Sequence, residues 1–338
     1  MSFSERLQRE WLAGGPLSTL LRPLSLLYGL LLQLRALLHR LGVLQRTQAL
    51  PVPVIVVGNW IVGGAGKTPT TLAMLRQLKA LGLRVGVISR GYGRERDEIH
   101  LLTPDSSAQQ AGDEPLLIHL RGGVPVAVGR DRVAAARTLL QAHPDLQLLL
   151  SDDGLQHLRL PRSLSVLVFD ERGLGNGLLL PAGPLRQRPT RPGPDELVLY
   201  NAPRPSTPLP GFMGRRRLSG AVALQDWHRG EAATPDLLHG LQGRPLIAAA
   251  GLAQPQRFFD MLRDQGLSFT PLPLPDHFDF GTLPWPADAG DVLLTEKDAV
   301  KLRPDRLGAT RVWVVALDFQ PDEAFERALR ERVQRLLS

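Results

Sequence analysis

Pro53-Val-Ile-Val-Val57, running without a break into Gly58-Asn-Trp-Ile-Val-Gly63-Gly64-Ala65-Gly66-Lys67-Thr68, is where the fold of this chain is decided. A short β-branched run reads as a buried strand, and a glycine cluster reads as a tight turn. Thr68–Leu81 then places Leu72, Leu75 and Leu78 at helical spacing. Strand, glycine-rich turn and helix in this order make an anion site. Gly63, Gly64, Ala65 and Gly66 let backbone N–H groups approach phosphate oxygens, and the helix start adds its positive dipole end. Lys67 supplies a point charge for the β/γ-phosphates, and the Thr68 hydroxyl is placed to bind Mg²⁺. The strict phosphate-loop pattern wants a glycine five residues before Gly66, where this chain has Ile61.

Outward from the loop, Val52–Val57, Arg84–Ser89, Val124–Val128, Leu146–Leu150 and Leu164–Phe169 read as buried parallel strands, and Arg130–Ala142 as a further helix. The alternation predicts an α/β fold, a P-loop NTPase-like parallel sheet with helices on both faces. Leu146–Leu150 ends in Ser151-Asp152-Asp153-Gly154. P-loop enzymes hold Mg²⁺ partly through an acid at a neighbouring strand's end, a role open to Asp152 or Asp153; a plain Asp-Gly turn is the other reading. Residues 181–216, rich in proline and arginine, read as the end of a first domain and the start of a linker, with one apolar run, Leu197–Tyr200, inside. Beyond it Pro245–Ala250, Asp291–Thr295 and Arg311–Leu317 read as strands and Gln254–Gln265 as a helix, a second, smaller α/β lobe. The expected division is 1–50 as a helical leader, 51–205 as the nucleotide-binding lobe, and 206–338 as the lobe closing over the site.

The 338 residues contain no cysteine, which excludes disulfides and thiolate metal sites. Forty basic against 33 acidic residues leave +7, yet only Lys67, Lys79, Lys297 and Lys301 are lysines. The scattered arginines read as a solvated surface, not a nucleic-acid footprint. Residues 1–50 are the exception, with six arginines (6, 9, 22, 35, 40 and 46) against Glu5 and Glu10, +4 of the chain's +7. The leucine-rich run from Pro23 to Leu34 is shorter than the roughly 20 apolar residues of a spanning helix. With Trp11 and Tyr28 beside it, the leader reads as a helix lying in a membrane interface; a helix packed on the protein's own core is the alternative.

Several further stretches, in order along most of the chain, resemble the tetraacyldisaccharide 4'-kinase family of lipid A biosynthesis. They are Ser89-Arg-Gly-Tyr92-Gly93, Gly112-Asp113-Glu114-Pro115, Gly129-Arg-Asp-Arg132, Asp152-Asp153-Gly-Leu-Gln-His157, Leu180-Pro-Ala-Gly-Pro-Leu-Arg186, Pro275-Asp276-His277 and Thr295-Glu-Lys-Asp-Ala299. The loop from Gly58 to Pro69, displaced glycine included, resembles the family's variant P-loop. The resemblance implies transfer of the γ-phosphate of MgATP to the 4'-hydroxyl of an acylated glucosamine disaccharide 1-phosphate. It further implies a peripheral enzyme at the cytoplasmic face of the bacterial inner membrane, with neither nucleic acid nor an obligate protein as partner. It makes Asp113 the general base and His277 its hydrogen-bonded partner from the second lobe, and it places Tyr92, Arg132, Asp153, Arg186 and Asp276 near phosphate or sugar. Read without it, Asp113 before Glu114-Pro115 is a helix N-cap and His277 an ordinary surface or core histidine. Gln187 departs from the pattern, in which an acid often follows Arg186.

Two rival readings keep the P-loop: a membrane-tethered ATPase or nucleotide switch acting on a protein, and a nucleic-acid-dependent ATPase. The first does not account for Asp276-His277 in a second lobe, and no Asn-Lys-x-Asp guanine reader is present for a GTPase; steep salt-dependent DNA binding would favour the second.

Overall fold

The computed structural model describes residues 3–44 and 47–338; Arg46 and the side chains of Glu5 and Arg6, part of the leader's charge, lie outside the described residues. In chain order the strands are β1 (Val54–Gly58), β2 (Val85–Ser89), β3 (His100–Leu101), β4 (Val126–Val128), β5 (Leu148–Asp152), β6 (Leu164–Asp170), β7 (Glu196–Asn201), β8 (Phe212–Ala223), β9 (Leu246–Ala250), β10 (Thr270–Pro273), β11 (Asp291–Thr295) and β12 (Arg311–Pro321). Each predicted strand is present, with ends displaced by two residues or fewer except in β12, which runs four residues beyond the expected end at Leu317.

All twelve form one sheet, ordered β10-β9-β11-β12-β8-β7-β6-β1-β5-β2-β4-β3. β1 pairs in parallel with both β5 and β6. The chain leaves β1 toward β2 on one side and returns from β5 to β6 on the other, so β1 stands at a topological switch point, where α/β sheets bind ligands. β1 is buried on both faces: Ile55 and Val57 join one core, Val54 and Val56 the other. Each such side chain contributes about 1.5–3 kcal/mol by leaving water.

The expected linker is only partly irregular. Its end is the start of β8, which pairs in parallel with β7 at Phe212–Met213 and antiparallel with β12 from Gly214 to Ala223. Arg215, Arg216 and Arg217 lie within that strand. Backbone pairing, first with β7 and then with β12, not an apolar sequence run, makes a strand of it, and β8 carries the sheet from one half of the chain into the other. One core cluster follows the same path, from Leu72, Leu75 and Leu78 to Val292, Val314 and Phe325. Arg121 seals that junction, bonding the buried Glu296 carboxylate at 2.5 Å and the Leu317 carbonyl at 2.8 Å.

The leader forms helices Phe3–Ala13, Pro16–Leu20 and Arg22–Arg40. They dock on residues 179–186. Trp11 Nε1 donates to the Pro181 carbonyl at 2.9 Å, Ser25 Oγ to Leu179 at 2.7 Å and Tyr28 OH to Arg186 at 3.0 Å; Ser18 Oγ donates to Ala182. Trp11 and Tyr28 are therefore not outward anchors: their polar tips hold the leader to the body. The docked stripe of the long helix buries the small residues Ser25 and Gly29 and packs Tyr28 and Leu32 against the core. Its outer face carries Leu24, Leu26, Leu27, Leu30, Leu31, Leu34 and Leu37, each more than half exposed. That is the reverse of an ordinary surface helix, whose apolar stripe faces the core. Among the described residues no helix is long and apolar enough to cross a membrane.

Candidate active site

The glycine-rich loop closes between β1 and the helix Lys67–Ala80. Gly66 caps that helix with φ +89°, and a Cβ there would fall 1.9 Å from Asn201 Nδ2, so only glycine fits. Asn201, the last residue of β7, donates to the Ala65 carbonyl at 3.0 Å and accepts from Arg216 Nε at 2.8 Å. Ile61, at the position expected to be glycine, is buried and bridges Leu185, while Val62 N donates to the Pro184 carbonyl at 2.9 Å. The front of the loop is thus stitched to residues 184–186 and serves packing; the phosphate cradle begins at Gly63.

Lys67 is buried, its ammonium 3.3 Å from Asn59 Oδ1 and 3.7 Å from Asp153 Oδ1. The alternatives for the metal acid separate clearly. Asp152 pairs in register with Val57 and accepts from Thr68 Oγ1 at 3.4 Å and Thr71 Oγ1 at 3.1 Å. Burial, with the charge of Glu114 and then Asp153, pushes its carboxyl up to about 7 against the opposing pull of Lys67 and Thr71. A fully buried carboxylate pressed by other anions and bracketed by hydroxyls is a hard-oxygen donor set short of positive charge, and it fits Mg²⁺. No group of three or more His, Cys, Asp or Glu side chains suited to a metal occurs among the described residues. Mg²⁺ needs none, because one or two carboxylates suffice when phosphates and water complete the shell.

Asp153 faces the other way, at φ +51°, and is bound at 3.0 Å by Arg186 Nη1. Burial pushes its carboxyl up, but Lys67, Arg186 and Arg132 outweigh that and hold it low. Arg132 is buried among cations and backbone carbonyls, donating to Gly129 and Arg130, and burial lowers it to about 10, still charged at neutral pH. Its Nε has no hydrogen-bond partner among the described residues. Gln187 accepts from Gln156 Nε2 at 3.2 Å, and the same nitrogen donates to the Asn59 carbonyl at 3.0 Å. A neutral amide there props the loop carrying Asn59.

Asp113 is not a cap. Gly112 holds the cap position with no side-chain bond, and Asp113 is the first residue of the helix Asp113–Gly122. Its carboxylate instead reaches the C-terminal half of the chain, where His277 Nδ1 lies 2.9 Å from Oδ2. His277 sits at φ +61°, a conformation costing about 1–3 kcal/mol that persists only where the surroundings impose it. Burial raises the Asp113 carboxyl, but the His277 hydrogen bond and the charges of Lys301 and Lys297 prevail and hold it below the usual range. The exposed Tyr92 ring lies 5.8 Å from the imidazole, and Asp276 is bound by Lys297 at 3.0 Å.

Sequence reasoning passed over Asn59, Glu114, Asn201, Lys297 and Lys301. One signal could have found the lysines. In a chain that uses arginine for nearly every surface cation, three of its four lysines (Lys67, Lys297 and Lys301) stand at this site.

A glycine-rich loop with a buried acid and hydroxyls beside it, together with a carboxylate–imidazole pair joining distant parts of the chain, is the arrangement of a P-loop phosphotransferase. The family model described as tetraacyldisaccharide-1-P 4'-kinase matches residues 17–334, and the chain belongs to that family. It is 54% identical to a tetraacyldisaccharide 4'-kinase of Methylibium petroleiphilum, across 96% of this chain and 92% of that one. To the Herminiimonas arsenicoxydans enzyme of the same name it is 45% identical, over 98% and 96%. Among solved structures, LpxK from Aquifex aeolicus in complex with ATP superposes with a TM-score of 0.79 at 28% identity, covering 96% of this chain and all of that one.

Proposed function

We propose that this chain transfers the γ-phosphate of MgATP to the 4'-hydroxyl of an acylated glucosamine disaccharide 1-phosphate, a lipid A precursor. The observation that carries the reading is the Asp113–His277 pair, set 2.9 Å apart in a chain that also holds the glycine-rich loop Gly63–Thr68. A nucleotide switch has no use for it.

In this reading the nucleotide's phosphates lie on Gly63–Thr68, with Lys67 and the neighbouring Arg132 and Arg186 spreading the charge that develops during in-line transfer. Thr68 and Asp152 would hold Mg²⁺, which supplies further charge neutralisation on the transferring phosphate. Asp113 takes the proton of the acceptor hydroxyl, His277 holds that carboxylate in place, and Tyr92 and Asp276 line the acceptor side. The lobes 51–205 and 206–338 shield the reaction from water. A cavity of about 690 Å³ lined by Glu171 and Pro203–Pro208, just beyond Asn201, offers room for the nucleoside.

The reversed amphipathicity of the leader supports a peripheral location on the cytoplasmic face of the bacterial inner membrane. There the outward leucines enter the headgroup boundary and the substrate's acyl chains stay in the bilayer. Incubating the protein with γ-labelled ATP and the disaccharide in detergent micelles should move the label onto the lipid. ATP hydrolysis with no labelled lipid would favour the switch reading. Replacing Leu26, Leu30 and Leu34 together by glutamine should lower co-sedimentation with anionic vesicles at least tenfold, while thermal stability, read by calorimetry, stays near wild type because those side chains are each more than half exposed.

A further inference from the structure

We infer that Lys301 is a positioning residue of the transfer reaction, its ammonium engaging Oδ2 of Asp113 so that Oδ1 alone is presented to the acceptor hydroxyl. The inference rests on the reading of Asp113 as the base. Lys301 Nζ lies 3.7 Å from Asp113 Oδ2, the same oxygen that His277 Nδ1 approaches at 2.9 Å. Among the described residues no hydrogen bond falls on Oδ1. A carboxylate held on one oxygen by two groups from the facing lobe has its plane fixed and its other oxygen free, which proton abstraction at hydrogen-bond distance requires.

The lysine is itself held. Its side chain is 4% exposed, and Nζ is 3.0 Å from Asp298 Oδ1 and 5.3 Å from the centre of the Phe280 ring. Asp298 is fully buried and in turn accepts from Gly251 N at 2.9 Å and Thr295 Oγ1 at 2.7 Å. Asp298 is thus the fixed counter-ion, and Lys301 is aimed from it across the lobe junction at Asp113. A lone Asp298–Lys301 pair would stabilise the second lobe without reaching the first. The remaining charges around Asp113 are Lys297, His277, the adjacent Glu114, and Asp276, which is bound to Lys297.

Lys301 favours the ionised form of Asp113, so removing its charge raises the carboxyl's pKa and moves the acidic limb of activity to higher pH. The test is the pH dependence of kcat and kcat/KM for the lipid, at saturating MgATP, in wild type and in Lys301→Met, Lys301→Gln and Lys301→Arg. Thermal melting and ATP affinity are measured alongside. We expect Lys301→Met to lose roughly 10–100-fold in kcat and to shift the limb upward by about one pH unit or more, with ATP affinity within about twofold. Lys301→Arg should recover the wild-type limb and most of the rate. Lys301→Gln keeps a donor for Asp298 while removing the charge, and it carries the test if the methionine variant does not fold. A folded neutral variant whose limb stays where wild type has it would overturn the inference, whatever its rate. Failure of the base reading is separable, because it would show as full turnover in Asp113→Ala.

Discussion

Asp113→Ala is expected to lower turnover by about 10²- to 10⁴-fold, the usual worth of a positioned general base, while leaving ATP binding nearly intact. The separation follows from geometry. Asp113 contacts His277 and Lys301 of the C-terminal half, whereas the groups of the glycine-rich loop contact Asn59, Asp152, Asp153 and Asn201. Truncation therefore removes the proposed proton acceptor without opening the loop. Rapid-quench measurement of a single turnover, paired with calorimetric titration of ATP, reads the two quantities apart. Retention of full turnover would remove Asp113 from the chemistry, and a parallel loss of ATP affinity would make it a structural residue of the cradle.

Lys67→Ala should cost about 10²- to 10³-fold in the transfer step, comparable to deleting one preorganised charge from a transition-state site, and should weaken nucleotide binding as well. Lys67 is buried, and its ammonium is preplaced between Asn59 and Asp153, so little reorganisation is needed when phosphate arrives. The alanine variant also takes from both Asp152 and Asp153 the cation that favours their charged forms. Lys67→Arg is not expected to rescue the activity, because a planar guanidinium does not fit a nest shaped for a compact ammonium. Single-turnover rates with ATP affinity measured in the same preparations test this, and an arginine variant of wild-type rate would show that only net charge matters.

These effects differ in how visible their residues are along the chain. The phosphate loop is local: strand, glycines, lysine and helix are contiguous, and their backbone requirements hold wherever the segment sits. The Asp152-Asp153 pair is nearly as legible, since strand-end acids in a parallel sheet must lie at the same edge as the loop. Asp113 is not. By spacing it is a cap, and it becomes a partner of His277 only because the helix Asp113–Gly122 points its first residue across the lobe junction. Here the resemblance of Gly112–Pro115 and Pro275–His277 to a known family carried what spacing could not.

The leader and the middle of the chain show the same limit. Leucine with flanking arginine marked a surface helix, yet Trp11 and Tyr28 turn inward because carbonyls of residues 181 and 186 satisfy their polar tips. Residues 181–216 have a linker's composition. Even so, 182 and 185 are buried between the leader and the phosphate loop, and 212–216 begin the strand that joins the two halves of the sheet. Proline and arginine mask both, since a strand held by backbone pairing can leave part of its side-chain surface in water.

The phosphate loop of residues 63–68 therefore marks the division. By itself the sequence determined that a phosphate is held at a helix start at the end of β1, because glycine freedom, the lysine charge and the helix dipole are properties of contiguous residues. Only the tertiary structure decided which acid faces the Thr68 hydroxyl and what Asp113 touches. It likewise decided that Lys301, 188 positions further along, lies 3.7 Å from that carboxylate. Those facts depend on how β8 and its neighbours bring one half of the sheet against the other, and burial at that junction is what gives the pairings their strength.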